Sequence, residues 1–263
     1  MHEREVHQLR PSPTTSVRIA ALYDIHGNLP ALEAVLSDVS DARVDLIVSG
    51  GDIVPGPMPR EVLTTLLNVD IPVRFIQGNG DREVLAVRAG AKTGRFPESF
   101  RPVMEWSAGQ LDDESARVLS GWPSTLQLRM WPLGVLVFCH ATPRNDTEIF
   151  TRMTTEERLR PIFDPLQAAV AVCGHTHMQF DRMVGRTRVL NAGSVGMPFQ
   201  EAGAYWLLLG DEVQLRRTSY DLDEAAERIR ATEYPQARDF ADRHVLHPPS
   251  ERETLEAYSK FEL

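Results

Sequence analysis

Seven polar side chains stand at the ends of apolar runs in this sequence, where the chain would leave a buried core. Carboxylates that crowd together raise each other's pKa values, and burying them without cations costs several kcal/mol each. Divalent metal ions would remove this cost, and the neighbouring histidines would serve as further ligands to them. The pattern therefore predicts a metal site formed by Asp24, His26, Asp52, Asn79, His140, His175 and His177.

The donor atoms of this set are carboxylate and amide oxygens and imidazole nitrogens. Such a mixture suits Mn, Fe, Co, Zn or Ni better than a soft metal, and it suits Ca or Mg alone less well. Ordinary turn and cap chemistry, in which Asp and Asn are common, explains one or two of these residues. It does not explain seven residues in ordered motifs, so metal binding is the favoured interpretation.

The apolar runs predict the elements that must hold these side chains. Most are rich in Val, Ile, Leu and Phe, and several end at Gly, Asn or Asp, which is typical of strands buried on both faces. Helical patterns separate the early runs, so the fold class is α/β. In open α/β sheets, ligands bind at the carboxyl ends of the strands. The runs cover residues 17–24, 44–52, 72–81, 134–141, 168–177 and 187–196.

The later part of the chain predicts antiparallel pairing as well. Two apolar runs, at residues 204–210 and 212–220, meet at Gly210-Asp211, which is a turn signal for a hairpin. We therefore expect a mixed sheet or two packed sheets.

The segments around this core predict the domain organisation. Residues 1–16 are polar and predict a flexible arm, and residues 17–220 form the main domain. Residues 82–124 are long for a connection and predict a helical insert that acts as a cap. Residues 221–263 predict a charged helical appendage, in which we expect His244 to face solvent.

Composition limits the partners of the protein. The chain has 263 residues, and 28 Lys and Arg against 37 Asp and Glu give it a formal net charge of −9. This charge disfavours nucleic acid as a partner, because indiscriminate binding to it needs a basic surface. Two cysteines exclude a disulfide scaffold, and neither a transmembrane stretch nor a signal peptide is evident. We expect a cytoplasmic protein with no membrane partner; its oligomeric state is open, a homo-oligomer included.

The motifs, taken in order, resemble those of the calcineurin-like metallophosphoesterases, and most closely their small bacterial and archaeal phosphodiesterase branch. The resemblance covers residues 17–220 and implies a four-layer α-β-β-α sandwich of two mixed β-sheets flanked by helices. A late loop, Asn191-Ala192-Gly193-Ser194-Val195-Gly196, also fits the family. The matching motifs are Asp24-Ile25-His26-Gly27-Asn28, Gly51-Asp52, Gly78-Asn79-Gly80-Asp81, His140 and Gly174-His175-Thr176-His177.

The resemblance also implies a role for each ligand. Two divalent metal ions are expected, with manganese favoured and Fe, Zn, Co or Ni as alternatives. The first metal would be held by Asp24, His26 and His177. The second would be held by Asn79, His140 and His175, with Asp52 as the bridge. The implied reaction is in-line attack on phosphorus by a hydroxide that bridges the two metals.

Some of these residues, and three others, would take part in catalysis or substrate binding. Arg144 follows His140 by four residues and offers a bidentate fork for phosphate, although a solvated loop arginine is the simpler interpretation. Asn28 is a second candidate for binding phosphate. Asp81 fits an acidic position of the family and also fits an N-cap for a helix starting at Arg82. The catalytic set implied is Asp52, Asn79, Asp81 and His140.

One position departs from the family. Many members carry a histidine directly after the motif asparagine as the general acid for the leaving group, whereas this chain has Gly80. Without that acid, simple monoesters should react poorly, and aryl esters or activated diesters should suffer less. We therefore expect a phosphodiesterase acting on a small or nucleotide-like substrate. The alternatives are a phosphomonoesterase or protein phosphatase, and a catalytically weak metal-binding scaffold for partner proteins.

Overall fold

The structure is a computed structural model, and it describes residues 7–8, 17–91 and 97–263. Within these residues the strands form two mixed sheets. The first sheet has the order β11 (Val213–Thr218), β10 (Ala204–Leu209), β2 (Ile19–Leu22), β3 (Leu46–Ser49) and β4 (Val73–Phe75). The second has the order β1 (His7–Gln8), β5 (Thr125–Met130), β6 (Gly134–Cys139), β7 (Val170–Cys173), β9 (Thr187–Asn191) and β8 (Phe180–Val184).

Helices connect and flank these sheets. The main ones are α1 (Leu29–Asp41), α2 (Pro59–Asn68), α3 (Asn79–Arg88), α4 (Arg101–Gln110), α5 (Asp113–Ser120), α6 (Glu156–Phe163), α7 (Leu222–Arg230), α8 (Ala237–Phe240) and α9 (Glu251–Tyr258). Short 3-10 turns occur at Glu98–Phe100 and Asp164–Leu166, and a π-helical turn spans Ala241–Leu246. Of the described helices, none combines the length and the apolar character needed to cross a membrane.

The alternation of buried side chains along β2 shows how the layers form. Leu22 faces outward into a cluster with Leu32 of α1 and Val62 of α2. Ala21 faces inward and packs between the two sheets, together with Phe138 of β6. A further cluster on the far side of the second sheet contains α6. The four-layer α-β-β-α sandwich is therefore confirmed.

Parallel pairing places the ends of the central strands together. In the first sheet β2, β3 and β4 run parallel, and in the second sheet β6, β7 and β9 do. The predicted ligands follow these carboxyl ends in both sheets, so the site lies between two facing edges rather than along one. The predicted hairpin is confirmed, because β10 and β11 pair antiparallel from Leu209 and Val213 outward.

The flanking segments differ in part from the expectations. Most of the predicted arm lies outside the described residues, but His7–Gln8 pairs in parallel with β5. The described part of the 82–124 segment packs onto the core, since Met104 and Leu119 lie in the same cluster as α1 and α2, and its role as a cap stays a prediction. In the C-terminal segment, α7 and α8 form a cluster that also includes Val103 of α4.

Candidate metal centre

The loops after the parallel strands bring their polar side chains into one cluster. Asp24 Oδ1 lies 3.3 Å from His177 Nε2 and 4.0 Å from His26 Nε2. Asp52 Oδ2 lies 3.7 Å from His26 Nε2 and 3.5 Å from His140 Nε2. Asp52 therefore lies between the histidines of the two predicted metal positions, as a bridging carboxylate would.

Asn79 and His175 complete the cluster beside His140. Asn79 Oδ1 lies 3.0 Å from His140 Nε2, and the same amide position is 3.0 Å from His175 Nδ1. With the amide turned over, its nitrogen would hydrogen-bond to both rings. In the orientation of the structure the amide oxygen faces both ring nitrogens. It accepts from His140 Nε2 while that ring is protonated, and a metal ion bound by the three atoms would take the place of that proton.

Unusual backbone conformations aim these side chains. Five predicted ligands have positive φ angles between 47° and 66°, a region that residues other than glycine rarely occupy. Such conformations cost free energy and persist only where the surrounding structure enforces them, which is common at functional sites. Asn79 and His140 are the two ligands outside this group. The five are Asp24, His26, Asp52, His175 and His177.

Backbone carbonyls orient three of the histidines. The Nδ1 atoms of His26, His140 and His177 lie 3.2, 3.0 and 2.7 Å from the carbonyl oxygens of Pro55, Gly50 and Met197. A carbonyl only accepts, so each Nδ1 carries a proton and each Nε2 is turned toward the cluster. This is the usual way in which proteins fix the ring of a metal-binding histidine.

The late loop around residues 191–196 fixes the backbone of Asp24. Ser194 Oγ donates to Asp24 O at 2.7 Å, and Gly196 N donates to the same oxygen at 3.0 Å. The side chain of Asp24 accepts a hydrogen bond from His175 N at Oδ2. Its Oδ1 is buried and has no hydrogen-bond partner in the described part of the chain. An orphaned carboxylate oxygen among three Nε2 atoms fits a metal ligand.

Asp81 holds the loop that carries Asp52. Its carboxylate accepts four backbone hydrogen bonds at 2.9 to 3.1 Å, from the N–H groups of Asp52, Ile53, Val54 and Gly78. Burial and the charge of Asp52 raise the pKa of Asp81 to about 7, against the effect of these donors. Because α3 begins at Asn79, Asp81 lies in its first turn and does not cap a helix from residue 82.

Before a metal binds, Asp52 and His140 form a buried ion pair in the site. Burial alone would raise the pKa of Asp52, but the adjacent His140 lowers it. Burial alone would lower the pKa of His140, but Asp52 and then Asp24 raise it to about 10. Burial and the positive charge of His140 lower the pKa of His175 to about 4. His140 is thus protonated on both ring nitrogens at neutral pH, and metal binding must displace the proton on Nε2.

These residues fit divalent metal ions. Two compact groups of donor atoms, each within 4.8 Å, are Asp24 with His26 and His177, and Asp24 with Asp52 and His140. The first group is the predicted first ligand set, and the second joins the predicted bridge to a ligand of the second metal. The number of ions and their exact ligands stay predictions.

Gly80 has no room for a side chain. Its N–H donates to Asp52 Oδ1 at 2.7 Å. A Cβ at this position would lie 2.5 Å from the carbonyl oxygen of Val54 and 3.0 Å from Asp52 Oδ1. The absence of a general acid at residue 80 is therefore built into the close approach of these loops.

The two predicted phosphate-binding residues already have partners. Asn28 caps α1 by accepting from Ala31 N at 3.2 Å, and its Nδ2 donates to Gly196 O at 2.9 Å. The Arg144 side chain is 54% exposed and pairs with Glu148 at 2.7 Å. Either residue would have to exchange a partner to bind phosphate, so these two roles stay predictions.

A cavity of about 360 Å³ opens onto the metal ligands, which is within the size range of small-molecule sites. One side presents five predicted ligands: His26, Asp52, Asn79, His175 and His177. Most of the other lining residues come from α4, the loop after β9 and the C-terminal segment, and form a second side that includes Met104, Phe199, Tyr234, Phe240, His244 and Tyr258.

Sequence reasoning missed this second side. His244 was expected in solvent, yet its Nδ1 is buried and unpaired among the described residues. Burial, followed by the charges of His177 and His26, lowers its pKa to about 3. Burial and the charge of Asp24 raise the pKa of Tyr258. No local sequence pattern indicates that these distant residues reach the site. The π-helical turn that contains His244, a form common at functional sites, is visible only in the structure.

Comparisons with known proteins agree with this arrangement. Residues 17–211 match the calcineurin-like phosphoesterase superfamily domain. An uncharacterized protein of Methanocaldococcus jannaschii is 25% identical over 238 residues, which are 83% of this chain and 94% of that protein. A segment of 84 residues is 36% identical to the symmetrical bis(5′-nucleosyl)-tetraphosphatase of Klebsiella pneumoniae, and it covers 31% of this chain and 30% of that enzyme.

Two solved structures share the fold. A hypothetical protein from Pyrococcus horikoshii superposes with a TM-score of 0.73 at 21% identity, over 86% of this chain and 97% of that chain. A metallophosphoesterase from Sphaerobacter thermophilus gives a TM-score of 0.66 at 24% identity, with the same coverage of 86% and 97%. At these identities the likeness shows the fold alone.

Proposed function

Because the chain belongs to the calcineurin-like phosphoesterase superfamily, and is accordingly a phosphoric ester hydrolase, we propose that it is a metal-dependent phosphodiesterase for small substrates. The observation that carries the proposal is the convergence of two buried groups of donor atoms that share Asp24, one with His26 and His177 and the other with Asp52 and His140. Ordered motifs from both sheets meet there and open onto a cavity of about 360 Å³.

The metal ions would bind the phosphoryl oxygens and make a water more acidic. The chain itself supplies position and exclusion of solvent. Carbonyl groups hold the Nε2 atoms of His26, His140 and His177 toward the site. Asp81 fixes the loop of Asp52 through backbone N–H groups, and the apolar cavity wall keeps bulk water away from the ester.

The preference for diesters is supported by Gly80. A leaving group of high basicity needs a proton as it departs, and residue 80 has no side chain to supply one. A Cβ there would lie 2.5 Å from Val54 O, so a residue with an acidic side chain could not replace Gly80 unless the loops moved apart. Aryl esters and activated diesters suffer less from this lack than simple alkyl monoesters do.

The test is hydrolysis of bis(p-nitrophenyl) phosphate and p-nitrophenyl phosphate side by side, on metal-stripped protein titrated with Mn²⁺. We expect metal-dependent turnover with kcat/KM higher for the diester. Both probes release p-nitrophenol, which needs no general acid, so their ratio reports the choice between diester and monoester and not the effect of Gly80. Protein kept in chelator is the control. A monoester preference would point instead to a phosphomonoesterase or protein phosphatase, and metal binding with no turnover would point to a scaffold.

The substrate is proposed only by class. The relatives named bis(5′-nucleosyl)-tetraphosphatase act on dinucleotides by name, and this supports a nucleotide-like substrate, although the shared segment covers only 30% of the enzyme from Klebsiella pneumoniae. Manganese as the resident metal, a cytoplasmic location, a lack of nucleic-acid partners and the oligomeric state stay predictions.

A further inference from the structure

The cavity over the metal ligands has an unusual wall for a site that binds an anion. Phe199 stacks on the predicted ligand His177 with ring centroids 4.6 Å apart and an angle of 23°. Tyr258 meets Phe199 edge-on at 6.3 Å, and His244 lies 6.4 Å from Phe199. Phe240 contacts His244 at 5.3 Å. An array of four rings thus continues from the metal ligands into the C-terminal segment.

The charges of this wall are as informative as its rings. Among the described residues that line the cavity there is no Lys or Arg, and Asp239 adds a negative charge to that of Asp52. Arg243 reaches Asp239 at 3.9 Å, but its side chain is 68% exposed and does not line the cavity. Away from the metal ligands, a chain of several phosphates would find no cationic side chain among the described lining residues, so this part of the cavity suits an uncharged group.

One polar atom in the wall lacks a partner. His244 Nδ1 is buried without a hydrogen bond in the part of the chain that the structure describes. Buried polar atoms are normally paired, and an unpaired one in a cavity wall is satisfied by a ligand or a water. Neutral imidazole offers one donor and one acceptor, which suits the edge of a heteroaromatic ring.

We propose that this cavity is a subsite for one flat aromatic ring attached to the phosphoester, and that the C-terminal segment forms its wall through His244 and Tyr258. Flat rings fit because the wall is itself made of rings, and base–aromatic stacking tolerates many ring types. The inference rests on the proposed function for the phosphoester that carries the ring. A nucleobase and a simple aryl group share this chemistry, and the test separates them.

The test measures binding rather than turnover. Protein loaded with Mn²⁺ is titrated calorimetrically with phenylphosphonate and with methylphosphonate, which share a head group and differ by the ring. Adenosine 5′-phosphate and ribose 5-phosphate repeat the comparison with a nucleobase. We expect the ligand with the ring to bind about tenfold more tightly in at least one pair, the size of one stacking interaction. Preference in the second pair identifies a nucleobase, and preference in the first pair alone identifies a simple aryl group.

Variants of Tyr258 test whether the aromatic ring of the bound ligand packs against the C-terminal segment. Tyr258→Ala should reduce the preference to about twofold or less, whereas Tyr258→Phe should keep it because the ring remains. Phe261→Ala is the matched control, since this aromatic residue of the same segment is 70% exposed and lies outside the cavity. Thermal unfolding checks that each variant is folded.

The outcomes separate the two proposals. Equal binding within both pairs, in a protein that hydrolyses diesters, would overturn the subsite and leave the function standing. A ring preference in a protein without turnover would support the subsite and overturn the function. A preference that Tyr258→Ala leaves unchanged would overturn the part given to the C-terminal segment.

Discussion

At the scale of the residue, the seven predicted ligands could be found because each stands at the end of an apolar run. The structure brings all of them to one place, and five have left-handed backbone conformations that no sequence pattern indicates. Asp81 was ambiguous from sequence, and its four backbone hydrogen bonds make it a positioning residue. Asn28 and Arg144 have partners in the protein, which residue type and spacing alone cannot reveal.

Metal binding should release protons. His140 has a pKa raised to about 10 by Asp52 and Asp24, in spite of its burial, so it is protonated at pH 8 until a metal displaces the proton. Apparent metal affinity should therefore rise with pH up to about 10, by as much as about tenfold per unit for one proton. Calorimetric titration with Mn²⁺ at pH 8, in two buffers of different ionisation enthalpy, counts the protons.

The expected count is about one or more protons per protein, and His140→Gln should release about one fewer. A wild-type titration that releases no proton would mean that His140 is neutral before metal binding, which would contradict the charge pairing in this site.

At the scale of the element, the ends of strands and the short helices could be predicted from local sequence patterns. The helix Pro59–Asn68 is specified locally, by a proline at its start and apolar residues at helical spacing. The described part of the 82–124 insert packs into the core, and the C-terminal helices line the site. Both facts depend on contacts between segments far apart in sequence, which periodicity does not encode.

The loop–helix junction at Gly80 should not tolerate even a methyl group. In Gly80→Ala the new Cβ would lie 2.5 Å from Val54 O and 3.0 Å from Asp52 Oδ1, so the loops must separate. We expect a loss of about 1–3 kcal/mol in the free energy of unfolding, as in other overpacked sites, together with a fall in diester turnover. Urea unfolding and the hydrolysis assay measure the two effects.

Gly109→Ala is the matched control for this change. Gly109 lies inside α4, and a Cβ there meets nothing within 4 Å. Alanine should be neutral or stabilise the protein by about 0.5–1 kcal/mol, because glycine is a poor residue within a helix. If Gly80→Ala behaved like Gly109→Ala, the close approach of the loops would not be a constraint on the site.

At the scale of the whole molecule, the site depends on how the two sheets face each other. Tyr23, directly before Asp24, is buried between them and donates to Val172 O of the second sheet at 3.0 Å. Its ring occupies the space that Cβ atoms at Gly50 and Gly174 would need. The sequence predicts both sheets. It does not predict that the Tyr23 ring fits between Gly50, which follows β3 of the first sheet, and Gly174, which follows β7 of the second, because this contact depends on how the sheets pack.

Tyr23→Phe should therefore destabilise the protein without changing its shape. Loss of a buried hydrogen bond between the sheets should cost about 1 kcal/mol, measured by urea unfolding of metal-free protein. Tyr205→Phe is the control, since its hydroxyl donates only to Glu201 O, four residues away, and we expect a smaller loss. Equal losses would show that the contact between the sheets contributes nothing beyond a local one.

The central claim is that this cluster binds metals to hydrolyse phosphoesters, with Asp52 between the two ligand sets. The most direct measurement is hydrolysis of bis(p-nitrophenyl) phosphate by metal-stripped protein during titration with Mn²⁺, for wild type, Asp52→Asn and the control Asp113→Asn, whose side chain is 93% exposed. The account predicts saturable activation of wild type and Asp113→Asn, and a loss of about a hundredfold or more with weakened metal binding in Asp52→Asn. Turnover of Asp52→Asn at the wild-type rate would contradict it.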